Sequence, residues 1–231
     1  MKINRNDSLT ESDDSSYSFS KRNAFIGKIV TWAVSLIILF YLFTLILGFI
    51  SLEAPDKPIG DPYFTILELL IIVLVQLMVL SLIIVHKSTP ERLKIFSLAA
   101  LVFMSIMAGI TSCLHFAILT LSQQESFMNK DWSLQVFSFN WPSLAYVIDI
   151  LAWDFFFALS MLFLSASFKK EGLEKHIRLL LLISGILSLI GIIGIPLNNM
   201  QVRNIGIIGY TVFPIIIFFL IGFALNRRIN N

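Results

Sequence analysis

Two acids interrupt an apolar run that otherwise has the composition of a lipid-crossing helix. Asp149 and Asp154 stand within 141–168, WPSLAYVIDILAWDFFFALSMLFLSASF. A charged acid near the centre of a bilayer costs at least about 2.5 kcal/mol, so it persists only with a partner or a task. Glu68 and His115 interrupt two other apolar runs in the same way. Two carboxylates and an imidazole form a set able to hold a cation, pass a proton, or act as acid and base. Tyr146, Asp149 and Trp153 recur at i, i+3 and i+7, which on an α-helix is one face. Glu68, His115 and Asp149 are therefore the candidate pocket, with Tyr146 and Trp153 as its walls. At 100° per residue, Asp154 is turned about 140° from Asp149 and faces a different neighbour.

Other chemistries find less support. One histidine among carboxylates is a thin donor set for zinc, and no HExxH is present. His86 and His176 fall at the far ends of their helices, away from this group. Cys113 is the single cysteine, so neither a cysteine metal cluster nor an intramolecular disulfide can form. No metal or other cofactor is expected. Ser112 and Cys113 lie close to His115, but small residues in a span serve packing more often than catalysis. There is no nucleophile elbow, phosphate loop or nucleotide fingerprint.

The elements that must position these groups follow from composition. The 231 residues are 57% hydrophobic and 14% charged, with a mean hydropathy of +0.84. Soluble domains carry about a quarter charged residues, so the chain is expected to be a membrane protein. Its formal charge of +2 gives no reason to expect nucleic acid as a partner. Six long apolar runs, at about 25–51, 62–86, 93–121, 142–168, 177–196 and 203–226, predict an all-α, six-transmembrane-helix bundle. The first is too long for a signal-peptide core and lacks a small-residue cleavage pattern, so it is expected to be retained. Residues 1–24 are rich in Ser, Asp and Glu and read as a disordered cytoplasmic tail.

Six crossings put both ends of the chain on one side. Under that alternation fourteen of the 17 Lys and Arg residues share the side of the termini, and Lys57, Lys130 and Arg203 remain opposite. The positive-inside rule then predicts N-in/C-in topology in the inner or plasma membrane. Small-residue stripes mark close helix packing: Ala108 to Cys113 in the third span, and Ser184, Ser188 and Gly191 in the fifth. Gln76 reads as an interhelical hydrogen-bonding residue. The loop 122–141 carries Phe127, Trp132, Phe137, Phe139 and Trp141, aromatic enough to form an interfacial flap. Asn198, Asn199, Arg203 and Asn204 read as a solvated outer loop, with Arg203 as a counter-charge above the acids in the sharper version of that reading.

At about 1.5 Å per residue, Glu68 and Asp149 lie roughly 9 and 10 Å below the outer starts of their helices, and His115 about 9 Å from the outer end of its own. Asp154 lies roughly 18 Å down, close to the midplane. Three helices thus bring an ionisable group to one depth. The expected function is binding or transport of a small or lipid-like molecule through this polar pocket. The alternatives are an intramembrane enzyme with a Glu/His/Asp acid–base group, and a structural or sensory subunit whose acids meet a membrane-protein partner or a second copy of the chain.

Overall fold

A computed structural model describes residues 20–52, 54, 58–122, 124, 133–139 and 141–228. The tail proper, Lys57, Phe127, Lys130 and Trp132 lie outside the described residues. All regular elements among those described are helical. Six helices are long and apolar enough to cross a membrane: α1 (Lys21–Ile50), α2 (Tyr63–Ser88), α3 (Glu91–Leu121), α4 (Leu144–Ser165), α5 (Gly172–Ile193) and α6 (Met200–Arg227). A short connecting helix, Ser133–Phe137, precedes α4.

The boundaries are set by caps as much as by hydropathy. Ser20 Oγ accepts from Asn23 N at 3.2 Å, so residues 21–24, expected in the tail, are the first turn of α1. Asp61 Oδ1 accepts from Thr65 N at 3.1 Å and from Thr65 Oγ1 at 2.6 Å at the start of α2. Asn199 Oδ1 accepts from the amides of Gln201 and Val202, which starts α6 three residues before the apolar run. Arg203 is consequently not in a solvated loop. It sits in the first turns of α6, 1% exposed.

Neighbouring helices run antiparallel, as paired contacts show. Trp32 Nε1 donates to Phe219 O at 3.2 Å and Ser35 Oγ to Ile215 O at 2.8 Å, joining α1 to α6. Gln76 Nε2 donates to Ser112 Oγ at 2.9 Å between α2 and α3. Ser160 Oγ donates to Ala100 O, and Ser184 Oγ to Gly209 O, both at 2.8 Å, between α3 and α4 and between α5 and α6. Each helix packs on its sequence neighbours and α6 closes on α1, making a ring of six. Met78, Met104, Met107, Phe157, Met161 and Phe218 fill its middle. Lipid tails are as apolar as these side chains, so close packing and interhelical hydrogen bonds carry the association. At the Arg228 end, that residue ties four helices together. Its Nε donates to Glu174 Oε1 at 2.8 Å, its other nitrogens reach Ser88 and Ser167 O, and its guanidinium lies 4.9 Å from the Phe168 ring centroid.

Candidate functional site

Helices α2, α3 and α4 converge at the bundle end opposite Arg228. Glu68 is five residues into α2, Asp149 five into α4, and His115 six from the end of α3, each roughly 8 to 9 Å along its helix. The antiparallel packing brings these levels together. His115 Nδ1 is 2.8 Å from Glu68 Oε2, and its Nε2 is 3.7 Å from Asp149 Oδ1. Glu68 and His115 are each 5% exposed.

The geometry fixes a division of labour on the imidazole. With Glu68 ionised, its carboxylate only accepts, so Nδ1 donates to it and Nε2 is left for the other side. At 3.7 Å, Nε2 and Asp149 are within ion-pair range but beyond a direct hydrogen bond. Nε2 has no hydrogen-bond partner among the described residues. Phe139 lies over the ring, 5.4 Å between centroids and 24° between planes. Its stretch is pinned to α4, because Ser143 Oγ donates to Ser138 O and accepts from Tyr146 N at 3.1 Å. One of the loop aromatics thus covers the site. Tyr41, half-buried on α1, lies within electrostatic reach of Asp149 and Glu68.

Tyr146 and Trp153 turn towards α6. Residues Leu151–Phe157 form a π-helical segment within α4, with i→i+5 hydrogen bonding in place of the expected i→i+4. The wider turn changes the phase of everything after Ile150, so the 140° separation expected for Asp149 and Asp154 on a regular α-helix does not apply, whereas Tyr146 and Asp149 keep their shared face in the α-helical turns before it. Trp153 packs on Tyr210, 5.4 Å between centroids, and on Phe157. Tyr146 lies 4.9 Å from the Arg203 guanidinium and beside Trp141. Both rings therefore face α6.

Around them lies a second ionic group. Arg203 Nη2 is 3.4 Å from Asp154 Oδ2, with side chains 1% and 0% exposed. Tyr210, one helical face along from Arg203, stands 5.7 Å from the guanidinium. The pair has an ion-pair distance without hydrogen-bond geometry on any of its five nitrogens and oxygens. Asp154 is wedged against the α5–α6 crossing: a Cβ at Gly206 would overlap its Oδ1, and one at Gly191 would lie 2.6 Å from it. Arg203 and Tyr210, at i and i+7 with Gly206 between, form a face that the sequence displays once α6 is known to begin at Met200.

Among the described residues no three His, Cys, Asp or Glu side chains are grouped so as to hold a metal ion. Two carboxylates and an imidazole give the cluster the acceptors to meet a cation or a hydrogen-bond donor. Compared with protein-family models, with curated proteins and with solved structures, the chain matches none.

Proposed function

We propose that this multi-pass membrane protein binds a small or lipid-like molecule bearing a cationic, hydrogen-bond-donating group, held by Glu68, His115 and Asp149. The observation that carries the reading is the His115 ring gripped at 2.8 Å by one carboxylate and faced at 3.7 Å by another. With Nδ1–H donating to Glu68 and Nε2 unprotonated, the three groups sum to two negative charges, and a cationic N–H between Nε2 and Asp149 donates to both. The excess of Lys and Arg on the side of the termini supports a cytoplasmic location for both ends, and with it a cluster in the outer half of the cell membrane. The apolar layer of Met78, Met104, Met107 and Phe157 beyond it favours a site open to one side over a conduit through the ring. Transport then requires a second arrangement of the helices.

A second reading is favoured by the same imidazole. A carboxylate on Nδ1 orients a histidine for acid–base work at Nε2, so an intramembrane enzyme uses the same three residues.

Native mass spectrometry from lipid nanodiscs tests the first reading. The wild-type chain is expected to retain a small-molecule or lipid adduct. Glu68→Gln and Asp149→Asn are each expected to lower its retention about tenfold or more, as loss of a charge-assisted hydrogen bond does. Helicity and elution are expected to stay as in wild type. Adducts unchanged in the double variant contradict the proposal. His115→Gln separates the readings: a binder keeps part of its retention, whereas an enzyme loses all turnover.

A further inference from the structure

We infer that the same site takes a single-chain amphiphile with a protonated amine borne directly on its chain, and that the chain lies in a lateral groove between α3 and α4. This inference rests on the binding function proposed above and names its ligand class.

The groove has a volume of about 530 Å³ and is walled by apolar groups, among them Ile110, Leu114, Ala117, Phe137, Leu144 and Ile148. That volume is in the range of small-ligand sites. Two features distinguish it from ordinary unevenness between helices. Gly109 is exposed and a Cβ built on it meets nothing within 4 Å, whereas the glycines at the helix crossings, such as Gly185, Gly191, Gly206 and Gly209, are tightly enclosed. The groove and the polar cluster also share two helices at one depth, because Leu114 of the wall precedes His115 and Ile148 precedes Asp149.

Location identifies one half of the occupant. Phe116, Leu144, Val147 and Leu151 around the groove are exposed, and in a six-span bundle such a face meets acyl chains. From Ala117 to Gly109 the groove runs between roughly 6 and 18 Å from the end of α3, and His115 stands beside its shallow part. A head group at His115 therefore has its chain directed inward along the groove.

Charge identifies the other half. Two carboxylates face the head group with one imidazole between them. Arg203, the cation buried at this end, is taken up by Asp154. A phosphate-bearing head would meet two acids and no available guanidinium, whereas an ammonium supplies the donors that Asp149 and Glu68 accept. Moving a chain from lipid to an apolar groove gains little, so the head group supplies the affinity and the groove supplies the shape.

Cys113, exposed on the groove wall, reports occupancy in the native sequence. Its alkylation by N-ethylmaleimide is followed by intact mass in phosphatidylcholine nanodiscs. Hexadecylamine is expected to slow the reaction at least fivefold, while hexadecanol and butylamine leave it unchanged. In the Glu68→Gln/Asp149→Asn variant the protection is expected to vanish while the unprotected rate stays as in wild type. Gly109→Trp, which fills the groove, is expected to slow alkylation on its own and to remove the dependence on amine. Equal slowing by hexadecanol, or none by hexadecylamine, overturns the inference. Slowing by butylamine equal to that by hexadecylamine overturns the chain's place in the groove yet leaves the polar pocket standing. Full protection in the double carboxylate variant overturns the pocket itself.

Discussion

Arg203→Leu alone is expected to destabilise the bundle by about 3–5 kcal/mol, the cost of leaving a buried charge without its partner. Asp154→Leu is expected to do similar damage from the other side. The reason lies in burial: with side chains 1% and 0% exposed, neither group reaches water to recover its solvation. The remaining neighbours of the guanidinium are the rings of Tyr146 and Tyr210, which stabilise a cation but do not neutralise it. The Asp154→Leu/Arg203→Leu double variant is expected to recover most of the loss, because two apolar side chains of comparable size replace a pair that is itself close to neutral in net stability. Thermal unfolding in detergent, analysed as a double-mutant cycle, checks this. Additive single losses would mean that the two side chains act independently, contrary to their 3.4 Å approach.

Gly206→Val is expected to be the next most damaging change, at about 1–3 kcal/mol or more for overpacking. Its first added carbon would overlap Asp154 Oδ1 and lie 3.2 Å from Gly191 Cα. The neighbour that must yield is a carboxylate held by Arg203 on one side and by backbone on the other, so relief requires either parting α5 from α6 or breaking the ion pair. Gly109→Ala is the matched control. It places the same atom in open space, within a helix where alanine is favoured by about 1 kcal/mol over glycine. Melting in the same detergent is expected to drop for Gly206→Val and to hold or rise for Gly109→Ala. Equal effects would refute the close α5–α6 crossing.

These two positions also mark where the sequence was and was not informative. The six spans were legible because a membrane helix needs about 20 apolar residues and little else in the chain resembles that. The ends were less so: Lys21, Arg22 and Arg203 read as tail or loop residues, but capping by Ser20 and Asn199 extends helices into polar sequence. Glu68, His115 and Asp149 stood out because ionisable groups in apolar runs are rare, and equal depth could be counted from the helix ends. Which way each side chain turns was not countable. The π-helical segment at Leu151–Phe157 has no periodic signal in the apolar run, and it resets the phase on which the expected separation of Asp149 and Asp154 relied. Arg203 was legible as a counter-charge to the acids, but that it is buried, and that Asp154 is its partner, was hidden by the unseen closure of α6 beside α4. Tyr41 and Tyr210 were missed because a tyrosine in a span has no periodic signature of its own.

The arrangement of His115 between two carboxylates is most directly tested by the ring ¹⁵N resonances of the protein in nanodiscs. The chain has three histidines, so His115 can be assigned by its loss in His115→Gln. Glu68→Gln is expected to move the Nδ1 resonance, Asp149→Asn to move Nε2, and Glu174→Gln, at the far end of the bundle, to move neither. Resonances of His115 that stay in place in both carboxylate variants would contradict the convergence of α2, α3 and α4 on this ring.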